Sequence, residues 1–160
     1  MSWDILIKLG HIVGTVLGVG GATFAELFYY QATKSGGFDP AAGKYLAITY
    51  KVLRIGLILL VLSGFGYLLL LRLEGSAQYI YSPRVWAKLV FTAAILVNAI
   101  LMQTKKIPMS LGTSVSLVSW YAALTVGAWR GLPASFWQIM LVYAALIIFV
   151  TLIKKRARPV

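Results

Sequence analysis

The sequence predicts an all-α membrane protein, a single helical domain over residues 1–160 with about five transmembrane helices. Of its 160 residues, 60% are hydrophobic and only 12% are charged, which is about half the charged fraction of a soluble domain. The apolar residues are also gathered into long runs, each near the roughly 20 residues that a helix needs to cross the hydrocarbon core. Together these two observations favour a polytopic helix bundle that faces lipid.

Five apolar runs are separated by turn-rich or charged breaks. They predict spans at about 5–29, 52–71, 85–102, 109–129 and 134–153. The breaks contain Gly, Pro and Lys in short segments, which favours antiparallel packing of consecutive helices. The first run is longer than the apolar core of a signal peptide and has no basic leader, so we expect it to be retained.

Basic residues are distributed unequally between the two faces that these spans define. One face carries five of them, namely Lys8, Arg72, Arg84, Lys88 and Arg130. The other carries ten, namely Lys34, Lys44, Lys51, Arg54, Lys105, Lys106, Lys154, Lys155, Arg156 and Arg158. The positive-inside rule then predicts a plasma-membrane protein with its N-terminus outside and its C-terminus in the cytoplasm.

The charge pattern and composition also restrict the partners and the chemistry. The net charge of +11 lies between apolar runs and at the C-terminus, which suits anionic headgroups better than nucleic acid. Absence of cysteine excludes disulfides and thiol catalysis, and no nucleophile–base–acid set is evident, which argues against an enzyme. The expected partners are the lipid bilayer and either a second copy of the chain or a larger membrane complex.

The first span carries the only histidine of the chain, His11. Gly14 and Gly18 belong to a repeated small-xxx-small pattern around it, and Gly18 shares a helix face with His11. Small residues allow a neighbouring backbone or a flat ligand to approach closely. We therefore consider His11, Gly14 and Gly18 as candidate cofactor-binding residues, and His11 as a candidate ligand of a metal or of haem b, or a proton carrier. The alternative is a polar side chain hydrogen-bonded within a helix interface.

A metal site needs more than one histidine. Its further ligands would come from Met102, Met109, Met140, a carboxylate or another protomer.

Four other polar residues fall within or near the membrane interior, where a polar side chain needs a partner or access to the headgroups. The simplest interpretation pairs Glu26 with Arg54 near the inner boundary, and a proton or ion path is the alternative. Asn98 lies deep in the third span, where a buried amide often bridges helices. Lys88, one turn into that span, is expected to extend to the headgroups.

The fourth span combines hydroxyl residues with two aromatic residues at mid-span. Trp120 and Tyr121 are expected to face other helices. The hydroxyls are interpreted mainly as helix-packing contacts, with a polar cavity lining as the alternative; they are Ser110, Thr113, Ser114, Ser116 and Ser119.

Three segments resemble known membrane-protein families over about the first 100 residues. The segment 8–21, with its Leu-Gly-His and Gly-Gly pattern, resembles the opening helix of copper-resistance-D-type proteins and of HemJ-type protoporphyrinogen oxidases. Segments 54–64 and 86–98 are similar to their second and third helices. The resemblance implies that His11 matches a first-helix histidine implicated in haem binding. Those oxidases also carry a histidine late in the third helix, where this chain has Asn98.

Three functions follow as alternatives from these features. The first is a small membrane protein that binds haem or a metal through His11. The second is a small ion or solute transporter or channel, with Glu26, Asn98 and the fourth-span hydroxyls along its path. The third is a scaffold or accessory subunit without enzymatic activity, whose small-residue stripes bind partners.

Overall fold

A computed structural model describes residues 3–34, 39–129 and 131–156 of the chain. Helices account for nearly all of this part, which contains no strand, and five of them are long and apolar enough to cross a membrane. They are α1 (Trp3–Lys34), α2 (Pro40–Leu73), α3 (Pro83–Gln103), α4 (Met109–Ala128) and α5 (Phe136–Arg156), with a short 3₁₀ helix at Ala77–Tyr81 between α2 and α3. The predicted all-α bundle of five spans is confirmed.

Most helix boundaries lie within three residues of the predicted ones, whereas α1 starts earlier and ends later than predicted and α2 begins twelve residues earlier. Asp39 caps α2 by accepting a hydrogen bond from the Ala41 amide at 2.9 Å, and Pro40 occupies the first turn. Hydropathy predicted that α2 begins where its apolar residues begin, at about residue 52. The helix in fact begins at Pro40, because a helix can continue through polar residues outside the lipid. With 34 residues, α2 is about 51 Å long, so it extends beyond the hydrocarbon core. The sequence predicts a turn-rich loop at 34–40, of which residues 35–38 lie outside the described part of the chain, as do Arg130 and Arg158.

Glycines bring α1 and α2 into backbone contact. A Cβ atom on Gly14 would lie 2.8 Å from the Leu60 amide nitrogen and 3.0 Å from the Gly56 carbonyl oxygen. A Cβ on Gly56 would in turn lie 2.9 Å from the Gly18 nitrogen. In lipid no hydrophobic force drives helices together, so they associate through the van der Waals contacts that such close approach allows. These two helices therefore form an intimate antiparallel pair.

Trp120 attaches α4 to this pair. Its side chain is 1% exposed, and its ring lies so close to Gly18 that a Cβ there would be 2.1 Å from Cζ3. The ring packs with Ala22 of α1, Leu53 of α2 and Ile95 of α3 in one buried cluster. The prediction that Trp120 faces other helices is confirmed. For Tyr121 it is wrong, because that ring is exposed and only its hydroxyl reaches back to Thr23 at 3.0 Å.

The remaining helices form a second group around α4. Phe91 and Ala87 of α3 pack with Val126 of α4 and Ile139 of α5. Ile139 is the one buried residue of α5, which therefore lies at the periphery. In the described part of the chain, α1 and α5 have no close backbone approach, and α2 and α3 approach only slightly. The α1–α2 pair and the α3–α4–α5 group are thus joined through α4, with a gap on each side of it.

The alternating helices define two faces of the bundle. The N-terminal face holds the start of α1, the α2–α3 connection and the α4–α5 connection. The C-terminal face holds the α1–α2 and α3–α4 connections and the end of α5.

We expect Gly18→Ala to destabilise the bundle by about 1–3 kcal/mol, because the added methyl group overlaps the buried Trp120 ring. Gly20→Ala is the matched control, since no atom lies within 4 Å of its Cβ position. Unfolding in detergent, followed by tryptophan fluorescence, measures both variants. Equal stabilities for the two would contradict the observed packing.

Candidate functional site

A cavity of about 540 Å³ lies between the two helix groups in the half of the bundle near the N-terminal face. It forms where α2 and α3 diverge, and α1 and α4 complete its walls. Its lining is mostly aliphatic, with six residues that carry polar groups, namely His11, Thr15, Tyr67, Lys88, Thr92 and Trp120. We refer to it as the His11 cavity.

The hydrogen bonds of Ser63 determine the tautomer of His11. The Ser63 hydroxyl donates its single proton to the Leu59 carbonyl at 2.6 Å. Its oxygen lies 2.9 Å from His11 Nδ1, so this nitrogen is assigned as the donor. Nε2 is then unprotonated and carries the lone pair that can ligate a metal. The Tyr67 ring stands edge-on to the imidazole with centroids 5.5 Å apart, which further restricts its orientation.

Two glycines leave open space in the wall of this cavity. Gly64 of α2 and Gly127 of α4 both line it, and no atom lies within 4 Å of the Cβ position of either. The predicted pair, Gly14 and Gly18, does not line it, because these residues contact α2 and Trp120 instead. Sequence reasoning missed Gly127 as a site residue. Gly64 stood in a segment of the family resemblance, and the preceding Ser63 is the partner of His11.

Lys88 adds positive charge to the same cavity. It lies on α3 five residues after Pro83, is partly buried, and lines the cavity together with His11. Because this position is close to the N-terminal face, its ammonium group has both the cavity and the headgroup region within reach.

On the other side of α4 lies a second depression of about 610 Å³, which we call the α4–α5 groove. At its C-terminal end, Lys154 Nζ lies 2.5 Å from Glu26 Oε2 and donates to Thr113 Oγ1 at 3.1 Å. The predicted Glu26–Arg54 pair is therefore wrong, and Arg54 is exposed on α2. The long side chain of Lys154 bridges α1 and α5, whose backbones do not approach each other closely. Glu26 and Lys154 are 128 residues apart in the sequence, so no local sequence pattern predicts their pairing.

Asn98 bridges α3 and α4, as predicted. Its Nδ2 donates to the Gly112 carbonyl at 2.9 Å, and the residue is 5% exposed. Oδ1 is buried without a partner among the described residues. Asn98 lines neither of the two depressions, so its side chain does not border the His11 cavity.

The hydroxyls of α4 bond mainly to the backbone of their own helix. Ser114 donates to the Ser110 carbonyl and Ser119 to the Val115 carbonyl, and both serines are fully buried. This is the packing role that the sequence suggested for them.

The described residues do not place a set of protein ligands for a metal ion around His11. No cluster of three histidine, aspartate or glutamate residues occurs in the described part of the chain. The three candidate methionines, Met102, Met109 and Met140, are not among the residues that line the His11 cavity.

We expect Lys154→Met to destabilise the protein by up to about 3–5 kcal/mol, because it leaves the Glu26 carboxylate mostly buried without its cation. Adding Glu26→Gln to that variant should recover part of the loss. Arg54→Met is the matched control and should change stability by less than about 0.5 kcal/mol. Thermal unfolding in detergent measures all three, and a larger loss from Arg54→Met would refute the Glu26–Lys154 assignment.

Comparison with known proteins assigns no family to this chain. Models of known protein families, curated protein sequences and solved structures give no match. The function therefore has to be inferred from the geometry around His11.

Proposed function

We propose that this protein is a membrane haem-binding protein in which His11 would hold the haem iron. The observation that carries the proposal is the oriented imidazole of His11, which lines a glycine-bordered cavity and has its Nδ1 2.9 Å from Ser63 Oγ. A hydrogen bond to the second ring nitrogen is the usual support of a ligating histidine, because it fixes the ring and raises the basicity of the ligating nitrogen.

The cavity suits a flat, largely apolar ligand with acidic edges. Aliphatic side chains make up most of its wall, and Gly64 and Gly127 leave room for a ring face on two different helices. Lys88 supplies a cation near the membrane boundary, where the carboxylates of a haem would be best accommodated. When bound, a haem would supply an iron centre able to exchange electrons or bind a small ligand.

His11 alone would serve as protein ligand to such a haem. The chain contains a single histidine, and Asn98, which replaces the third-helix histidine of the HemJ-type oxidases, bonds to Gly112. This departure argues against a haem held by two histidines of one chain.

The transport alternative has less support from the arrangement of polar groups. Its candidate residues are not arranged along one path, because Glu26 lines the α4–α5 groove whereas Asn98 lines neither depression. A role as an accessory subunit is compatible with haem binding, since a subunit can hold the cofactor for a larger complex.

In this proposal the C-terminal face lies in the cytoplasm of a cell with the protein in its plasma membrane. Among described side chains, the C-terminal face carries the basic residues Lys44, Lys51, Arg54, Lys105, Lys106, Lys154, Lys155 and Arg156. The N-terminal face carries Lys8, Arg72, Arg84 and Lys88. An excess of Lys and Arg marks the cytoplasmic side of a membrane protein.

The haem proposal is tested by the absorption spectrum of protein purified from a haem-replete host. We expect a Soret band that His11→Ala removes and that exogenous imidazole restores in this variant. Ser63→Ala should weaken haem affinity by about 10-fold or more, since it removes the bond that orients the ligand. Colourless wild-type protein, or a band that His11→Ala leaves unchanged, would refute the proposal.

Filling the cavity provides a separate test with a matched control. Gly127→Leu should lower the haem content, because the leucine side chain would occupy the cavity. No atom lies within 4 Å of the Gly127 Cβ position, so the substitution should not disturb the packing there. Gly20→Leu also meets open space but lines neither depression, so it should retain the haem. Equal haem content in the two variants would count against this cavity as the site.

The orientation is tested by labelling single cysteines in the naturally cysteine-free chain. With intact cells and a membrane-impermeant maleimide, Gln78→Cys in the α2–α3 connection should react and Lys106→Cys in the α3–α4 connection should not. Both positions are exposed, and permeabilised cells provide the control for reactivity. The reverse pattern would overturn the proposed orientation.

A further inference from the structure

The α4–α5 groove has no part in the proposed haem site. It has α4 as its floor and α1 and α5 as its walls, and it runs from Gln138 near the N-terminal face to Val150 and Glu26 near the C-terminal face. The 12 residues from Gln138 to Val150 correspond to about 18 Å along α5. This is more than half of the roughly 30 Å thickness of the hydrocarbon core.

Between its two ends the groove offers no hydrogen-bond donor from its tyrosines. Ser119 gives its proton to the Val115 carbonyl at 2.6 Å, so Tyr143 must donate to Ser119 across 2.7 Å. Thr23 likewise donates to the Val19 carbonyl at 2.8 Å, so Tyr121 donates to Thr23. With these protons engaged inside the bundle, the part of the groove beside the two tyrosines suits an aliphatic chain.

The C-terminal end of the groove is different, because it carries a hydrogen-bond acceptor. Glu26 lines the groove and binds Lys154 through Oε2. No described residue donates to its other oxygen, Oε1, and the side chain is 19% exposed. An ionised carboxylate accepts hydrogen bonds only, so this end suits a group that carries N–H or O–H donors.

Two further basic residues follow Lys154 in the sequence of α5. Lys155 and Arg156 complete the last turn of α5 and are exposed next to the engaged Lys154. An acceptor followed by cations is complementary to a head group in which an ammonium is linked to a phosphate. Primary ammonium groups carry three N–H donors, whereas a quaternary ammonium has the same charge and none.

We propose that the α4–α5 groove binds a phospholipid with a primary-amine headgroup, such as phosphatidylethanolamine. One acyl chain lies along α4 and α5, the ammonium donates to Glu26 Oε1, and the phosphate lies near the basic last turn of α5. This site is independent of the haem proposal, since the two depressions lie on opposite sides of α4 and have no lining residue in common.

The test compares three lipids with identical acyl chains added to delipidated full-length protein in detergent. Phosphatidylethanolamine should raise the apparent melting temperature more than phosphatidylcholine, which lacks N–H donors, or phosphatidylglycerol, which lacks the amine. Native mass spectrometry should detect one phosphatidylethanolamine retained per protein at detergent concentrations that remove the other two. Equal effects of all three lipids would overturn the proposal and indicate ordinary boundary lipid, and a preference for phosphatidylglycerol would overturn the role of the ammonium.

Two variants locate the bound lipid. Ala122→Phe fills the groove from its α4 floor and should abolish the preference for phosphatidylethanolamine, whereas Ala144→Phe on an exposed part of α5 outside the groove should retain it. Glu26→Gln should reduce the ratio of phosphatidylethanolamine to phosphatidylcholine affinity by about 10-fold, as expected when a hydrogen bond to a charged group is lost. Retention of the full preference in Ala122→Phe would contradict binding in this groove, and the wild-type lipid comparison decides the matter if that variant does not fold.

Discussion

The packing of Trp120 against Gly18 is the contact on which the rest of the structure depends. The indole ring occupies the space that any side chain at position 18 would need, and it packs with residues of α1, α2 and α3 at once. In lipid, helices associate through close packing and not through the hydrophobic effect, so one well-filled contact can determine where a third helix docks. Here it makes α4 the centre of the bundle and leaves a depression on each side of it.

The position of His11 relative to this contact explains why the imidazole borders a cavity. His11 and Gly18 share a face of α1 and are seven residues apart, which is about 10 Å along the helix. Near Gly18 that face is covered by Trp120, whereas near His11 the helices have diverged and the face borders open space. Ser63 of the tightly paired α2 then holds the imidazole. The same glycines that join α1 to α2 thus support the site without lining it.

Hydropathy and periodicity predicted the features that depend on one helix at a time. They identified five spans, the buried Trp120, the bridging Asn98 and the interior position of His11. They did not predict partners across helices, because the rotation and depth of each helix depend on packing with its neighbours. Ser63 lies 52 residues from His11, and Lys154 lies 128 residues from Glu26. The polar first turns of α2 were missed for a different reason, since hydropathy reports the lipid boundary and not the end of a helix.

A double-mutant cycle between Gly18 and Trp120 tests most directly whether this contact organises the bundle. Gly18→Ala, Trp120→Leu and the double variant would be compared by their free energies of unfolding in detergent. Our account predicts that the methyl group at position 18 is much less harmful once the ring has been shortened, with a coupling energy of at least about 1 kcal/mol. Additive losses, with a coupling energy near zero, would contradict it.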